Sequence, residues 1–146
     1  MFNTILIVCV GNICRSPSAE RILQKLMPIK EVNSAGIATL LAHNIEPNAA
    51  KLLAANNYNS ESHCAKQVTS QMINDADLVL VMERKHQRLL MQSYPSASGK
   101  IMLLGKWSDN QEIHDPYRKS LTVFEYTFTQ IEKNCQAWTQ KLLTSI

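Results

Sequence analysis

Apolar residues in this chain fall into two kinds of pattern: short continuous runs, and longer stretches at helical spacing. Thr4-Ile5-Leu6-Ile7-Val8 is a compact, β-branched run, which predicts a strand buried on both faces of a parallel sheet. Behind it Ala19, Ile22, Leu23, Leu26 and Met27 share one helical face, predicting a helix from Pro17 to Met27 with Ser16 as its cap. Glu31 to Ala35 reads as a second strand that turns out at Gly36, and Ile37 to Glu46 as a loop. Pro47 opens a helix carrying Ala49, Leu52 and Leu53 that stops at Asn56-Asn57. Ser70 is expected to cap a short helix through Met72 and Ile73. Asp77 to Met82 is the clearest strand after the first, Arg84 to Gln92 reads as a helix, and Lys100 to Leu104 as a fourth strand. The polar stretch Gly105–Ser120 has no regular pattern; structureless segments of that length in compact domains are functional or disordered. The last helix starts near Leu121 and places Phe124, Phe128, Ile131, Cys135, Trp138 and Leu142 on a core stripe. Cys135 is therefore read as structural.

Strands alternating with helices imply an α/β fold of three layers, α/β/α, around a four-stranded parallel sheet. The expected strand order is flavodoxin-like, 2-1-3-4, in a single domain over residues 1–146. Ligands in such sheets bind beyond the carboxyl ends of the strands where the order reverses. Here that point lies just after the first strand.

Composition narrows the picture. Hydrophobic residues make up 45% and charged residues 18% of the chain, as in an ordinary water-soluble globule. The net charge of +3 suits an anionic ligand, but without a Lys/Arg tract it does not argue for nucleic acid. No apolar run reaches spanning length and Met1-Phe2-Asn3 leads straight into the first strand, so the expectation is a cytoplasmic protein without membrane insertion. The 4 cysteines, Cys9, Cys14, Cys64 and Cys135, are too few for a disulfide framework and lack Cys-x-x-Cys spacing. With His43, His63, His86 and His114 scattered, no metal and no cofactor are expected.

The residues at the reversal point carry the chemistry. Val8-Cys9-Val10-Gly11-Asn12-Ile13-Cys14-Arg15-Ser16-Pro17 joins the first strand to the first helix. The backbone amides of Val10, Gly11, Asn12, Ile13 and Cys14 can converge on one oxyanion, aided by the positive end of the helix. Arg15 adds a planar fork for two oxygens of a phosphate. Cys9 sits at the strand end beneath that point, where the same field stabilises a thiolate. A nucleophilic sulfur under a tetrahedral oxyanion points to phosphoryl transfer through a phosphocysteine. The leaving group then needs a proton donor, and Asp115 in Asp115-Pro116-Tyr117-Arg118 is the candidate, although Asp-Pro is also a common turn former.

The Cys9–Pro17 run together with Asp115-Pro116-Tyr117, the Ser34-Ala35-Gly36 segment and a Leu78–Met82 strand followed by Glu83 resembles the low-molecular-weight protein tyrosine phosphatases. His63-Cys64-Ala65-Lys66-Gln67 and Asp115 to Ser120 resemble its bacterial branch that acts on tyrosine autokinases of capsule or exopolysaccharide export. The resemblance implies that Cys9 attacks phosphorus, that Arg15 and the loop amides hold the oxygens, and that Asp115 serves as acid and then as base. It implies that Ser16 hydrogen-bonds the Cys9 sulfur, that Asn12 holds the loop's shape backed by His63, and that Leu40 and Tyr117 wall the slot. The expected partner is a phosphotyrosine protein, a bacterial tyrosine autokinase, with phosphate or a similar anion in the site. Leu40 and Arg118 depart from the animal members; Arg118 either attracts acidic partners or fills the loop. Cys14 is either a resolving thiol for Cys9 or a packing residue. The alternatives are an arsenate reductase on the same scaffold, which needs further cysteines to relay a disulfide, and a non-catalytic phosphotyrosine- or anion-binding module.

Overall fold

The computed structural model describes residues 2–39 and 43–144; Leu40, expected as a slot wall, lies outside them. The chain runs β1 (Thr4–Cys9), α1 (Arg15–Leu26), β2 (Glu31–Gly36), α2 (Pro47–Ala55) and α3 (Ser70–Asp75). It continues through β3 (Leu78–Val81), α4 (Arg84–Ser93), a 3₁₀ turn (Pro95–Lys100), β4 (Ile101–Leu103) and α5 (Leu121–Thr144). The strands form one parallel sheet in the order β2-β1-β3-β4, as the alternation of elements predicts.

Alternation along β1 divides the core. Ile5, Ile7 and Cys9 join Leu78 and Leu80 beneath α1, α2 and α5. Leu6 and Val8 face the other way, with Val79, Val81, Ile101 and Leu103 beneath α3 and α4. Every member of the predicted α5 stripe is buried, and Trp138 Nε1 donates to the Leu104 carbonyl at 2.9 Å. A fully apolar β1 is what a strand covered on both faces requires.

Several boundaries differ from the sequence reading, each for a local reason. Helix α1 begins at Arg15, not Pro17, and Cys14 stands at its cap without a side-chain capping bond. The Ser16 hydroxyl is spent on Cys9 Sγ and Asn12 Nδ2 instead. Pro17 still lies in the first turn, where its missing N–H leaves no bond unmade. Thr69, not Ser70, caps α3, its hydroxyl accepting from Met72 N at 3.2 Å. Glu46 caps α2 through Asn48 N and Ala49 N. Lys100 closes the 3₁₀ turn rather than opening β4.

The segment from Gly105 to Ser120 is pinned although it lacks regular structure. Ser108 Oγ and Gln111 Oε1 bond Asn134 of α5, Gln111 bridges Gly105, and Ile113 N donates to the Met82 carbonyl at 2.9 Å. Ile113 is fully buried, so the segment passes directly beneath the carboxyl ends of β1 and β3.

Candidate active site

Between β1 and α1 the backbone folds into a ring whose carbonyls are all held from outside. Cys9 O accepts from Ile37 N at 2.9 Å, Val10 O from Ala38 N at 3.0 Å, and Ile13 O from Glu46 N at 2.7 Å. Gly11 O accepts from the Thr39 hydroxyl, Asn12 O from His63 Nε2 at 2.6 Å, and Cys14 O from Ser18 N and Oγ. In a trans peptide the N–H points opposite to the C=O of the same plane, and there is no cis peptide among the described residues. Holding these carbonyls outward therefore turns the amides of Val10 through Arg15 to the inner side. That produces the predicted oxyanion cradle.

Asn12 is the turning point. Its φ of 56° lies in the left-handed region, which Asn tolerates better than most residues. Its fully buried side chain donates from Nδ2 to Ser16 Oγ at 2.8 Å and Ser34 Oγ at 2.9 Å, and accepts at Oδ1 from Lys66 N at 3.0 Å. Gly36 lies directly behind: a Cβ there would sit 2.6 Å from the Val10 carbonyl oxygen and 3.2 Å from Asn12 Cβ. At Gly11, by contrast, a Cβ would meet only Ile13 at 3.7 Å.

Cys9 Sγ is buried under the ring, 2.9 Å from Ser16 Oγ and 3.4 Å from Ser16 N. Cys14, the other ring cysteine, is buried as well. Burial, then the neighbouring Cys9, Glu46 and Asp115, push the Cys14 thiol well above its ordinary range. Cys14 is therefore held as a thiol.

Arg15 is 2% exposed. Its Nη1 donates to Glu83 Oε2 at 2.7 Å and to the Ile113 carbonyl at 2.8 Å. With that nitrogen anchored, the opposite edge of the guanidinium plane remains for a ligand. Burial works against the Glu83 carboxylate, but the hydrogen bond and charge of Arg15, with His86 and Lys85, outweigh it and hold its carboxyl below the usual glutamate range. Burial, then the charge of Arg15, push His86 below the usual histidine range. Asp115 arrives from the pinned segment, two residues past Ile113, with Oδ2 3.9 Å from Arg15 Nη2. Its Oδ1 accepts from Tyr117 N at 3.0 Å, closing a turn over Pro116, and Arg118 lies over the Tyr117 ring at 5.3 Å.

A pocket of about 230 Å³ opens here, with Cys9, Arg15, Asp115 and Tyr117 in its walls beside Val10 and Ile13. The sequence reading brought all of these together. It missed the support at Glu83, Ile113, Ser34 and Thr39, whose signals were only positional: a Glu after a buried strand, and polar residues flanking Gly36. Among the described residues no group of three or more His, Cys, Asp or Glu side chains gathers as a metal site, and no helix is long and apolar enough to cross a membrane.

Comparison with known proteins supplies the context for this geometry. A family model described as low molecular weight phosphotyrosine protein phosphatase matches residues 4–145. The chain is 44% identical over 142 residues to the low molecular weight protein-tyrosine-phosphatase Wzb of Salmonella typhimurium, covering 97% of this chain and 95% of that protein. The tyrosine phosphatase Wzb from Escherichia coli, in complex with sulphate, superposes with a TM-score of 0.94 at 40% identity, covering 97% of this chain and 99% of that one. Vibrio vulnificus Wzb, in complex with benzylphosphonate, superposes with a TM-score of 0.94 at 44% identity and the same coverage.

Two outcomes follow from the site's construction. Gly36→Ala should lower stability by about 1–3 kcal/mol through backbone overpacking and, by pressing on Val10 and Asn12, weaken phosphate binding; denaturant titration and calorimetry would show both. Equal phosphate affinity in variant and wild type would show that Gly36 does not shape the ring. The folded-state pKa of Glu83 lies below its ordinary value of 4.5, so its stabilising contribution is complete above that pH and is lost as pH falls through the folded-state value. Denaturant titrations from neutral pH down through that window should show a shallower acid loss in Glu83→Gln than in wild type.

Proposed function

The chain belongs to the low molecular weight phosphotyrosine protein phosphatase family and is a protein-tyrosine-phosphatase; from that premise we propose that Cys9, Arg15 and Asp115 carry the reaction. The observation that supports this most is their convergence in one pocket although Asp115 lies far along the chain from the ring. Cys9 Sγ attacks phosphorus in line, forming an S–P bond as the P–O bond to tyrosine breaks. Asp115 gives its proton to the departing phenolate. The free edge of Arg15 and the inward amides hold the three equatorial oxygens, whose spread charge is where preorganised donors act. A water deprotonated by Asp115 then attacks phosphorus, and the S–P electron pair returns to Cys9. Ser16 Oγ, 2.9 Å from the sulfur, donates to the thiolate as it leaves. Val10, Ile13 and Tyr117 form the apolar walls for the phenyl ring.

For the partner we propose a phosphotyrosine protein of the tyrosine autokinase class that serves polysaccharide export, dephosphorylated in the cytoplasm by one domain over residues 1–146. The support is the match to Wzb proteins along nearly the whole chain. An arsenate-reducing relay finds poor material here. Cys135 is fully buried in the core, where burial pushes its thiol up, and Cys64 is absent from the pocket walls.

Cys9→Ser should lower turnover of aryl phosphates by about a thousandfold or more while leaving phosphate affinity near that of wild type. Arg15→Lys should fail comparably, since an ammonium cannot replace a planar fork anchored on one nitrogen. Near-normal kcat in either variant would remove that residue from the reaction. Asp115→Asn should cost about a hundredfold on phosphotyrosine and about tenfold on an activated nitrophenyl ester, because the better leaving group needs less protonation. Equal losses on both substrates would make Asp115 a shaping residue only.

A further inference from the structure

The back of the ring rests on a strap, His63 to Gln67, that holds it at several points. His63 Nε2 donates to Asn12 O at 2.6 Å and Lys66 N to Asn12 Oδ1 at 3.0 Å. The Lys66 carbonyl accepts from Gly36 N at 2.8 Å, and Gln67 Oε1 from Thr39 N at 3.2 Å. Cys64 lies within this strap and its thiol is exposed. It borders a second, polar cavity of about 270 Å³, walled by Glu20, Arg21, Ser34, His63 and Lys66. Among the described residues this cavity shares no wall residue with the pocket at Cys9.

The cavity contains buried groups that lack hydrogen-bond partners. The Glu20 side chain is 9% exposed, and its Oε1 and Arg21 Nε lie 3.8 Å apart. Neither makes a hydrogen bond. His63 Nδ1 is also 3.8 Å from Glu20 Oε1, beyond hydrogen-bond length. Buried polar groups are normally satisfied, so this carboxylate oxygen and guanidinium N–H, held only by their mutual ion pair, are under-compensated groups in the cavity wall. Beside them, Lys66 adds a cation at the rim. An ammonium suits Glu20, carboxylates suit Arg21 and Lys66, and a sulfur suits Cys64.

We propose that Cys64 is a modification site for a small zwitterionic disulfide, the oxidised form of a cysteine-containing peptide, and that the adduct down-regulates the phosphatase through the strap. Cys64 loses its proton to solvent and its thiolate attacks one sulfur of the disulfide. The reagent's S–S bond breaks as the new Cys64 S–S bond forms, and the released thiolate takes up a proton. The bound half then fills the cavity beside His63. Its bulk displaces the imidazole from the Asn12 carbonyl and loosens the left-handed turn on which the inward amides depend. Phosphate binding weakens, and KM rises more than kcat falls. Reduction by a dithiol reverses the change.

This proposal rests on the phosphatase reading only for its activity readout, and the test separates the two. Wild type and Cys64→Ser are treated with oxidised glutathione while inorganic phosphate covers Cys9, then freed of both and examined by peptide mass mapping. Phosphate affinity is measured by calorimetry and turnover on an aryl phosphate. Wild type should carry one adduct on Cys64 and lose about five- to tenfold in phosphate affinity and kcat/KM, restored by dithiothreitol, while Cys64→Ser changes little. Adducts confined to Cys9 or Cys14 would overturn the proposal, as would an adduct on Cys64 with unchanged phosphate affinity or an equal loss in Cys64→Ser. Adduct mass and phosphate affinity remain readable even if turnover on aryl phosphates were absent. Cystamine, which lacks carboxylates, should modify Cys64 more slowly than oxidised glutathione once rates are normalised to a free cysteine peptide; equal normalised rates would remove the charge recognition.

Discussion

The site depends on one constraint: six successive carbonyls, from Cys9 to Cys14, are fixed by partners outside the ring. A backbone left to itself alternates or pairs its polar groups; here every acceptor is occupied from behind and the donors have one direction left. The donors to those carbonyls come from the segment after β2, from the strap at His63, from the start of α2 and from α1 itself. Four separate parts of the chain must therefore be in place before the amides converge. A loop of this polarity cannot form early or alone, because its geometry belongs to the assembled sheet. That explains why Gly36 has no room for a side chain: the ring is pressed against the end of β2.

Burial of Arg15 depends on the same assembly. A guanidinium at 2% exposure would cost several kcal/mol without compensation. Glu83 from the end of β3 and the Ile113 carbonyl supply that compensation. Together they fix the plane of the fork as well as its charge, which a flexible surface arginine could not do. Ile113 also donates to Met82 O, so one peptide neighbourhood ties the cation, the sheet edge and the segment that carries Asp115. The position of Asp115 is thus set from below by a fully buried residue, although its own side chain is 48% exposed.

Much of this was readable in the residues, and the parts that were not share a cause. The four strands, their order and the α5 stripe follow from apolar periodicity, which is a local property. Cys9, Arg15 and Asp115 could be singled out because such residues are rare in that context, and the fold brings them to one pocket. Ser16 misled the helix boundary because a hydroxyl before Pro17 is a good cap in isolation, whereas tertiary contacts with Cys9 and Asn12 claim it here. Thr69 and Ser70 were confused for a simpler reason: adjacent hydroxyls are equivalent in sequence and only backbone dihedrals separate them. Ser34 and Glu83 stand in segments that carry the resemblance, but their bonds to Asn12 and Arg15, like that of Thr39 to Gly11, are long-range and leave no trace in the local sequence.

The two halves of the site also differ in how firmly they are held. The ring is locked by buried hydrogen bonds on every side, whereas the Asp115 turn is closed by its own Asx bond and by Lys119 N to the Pro116 carbonyl. At 3.9 Å from Arg15 Nη2, the carboxylate stands near the cation without a full hydrogen bond to it. That separation suits the chemistry. A carboxylate clamped on Arg15 would occupy the fork that receives phosphate in the proposed reaction. Anchored at Ile113 and held at its tip by its own turn, Asp115 stands beside the guanidinium without occupying it. In the reaction proposed above, the rigid ring would provide the charge stabilisation and the Asp115 turn the proton.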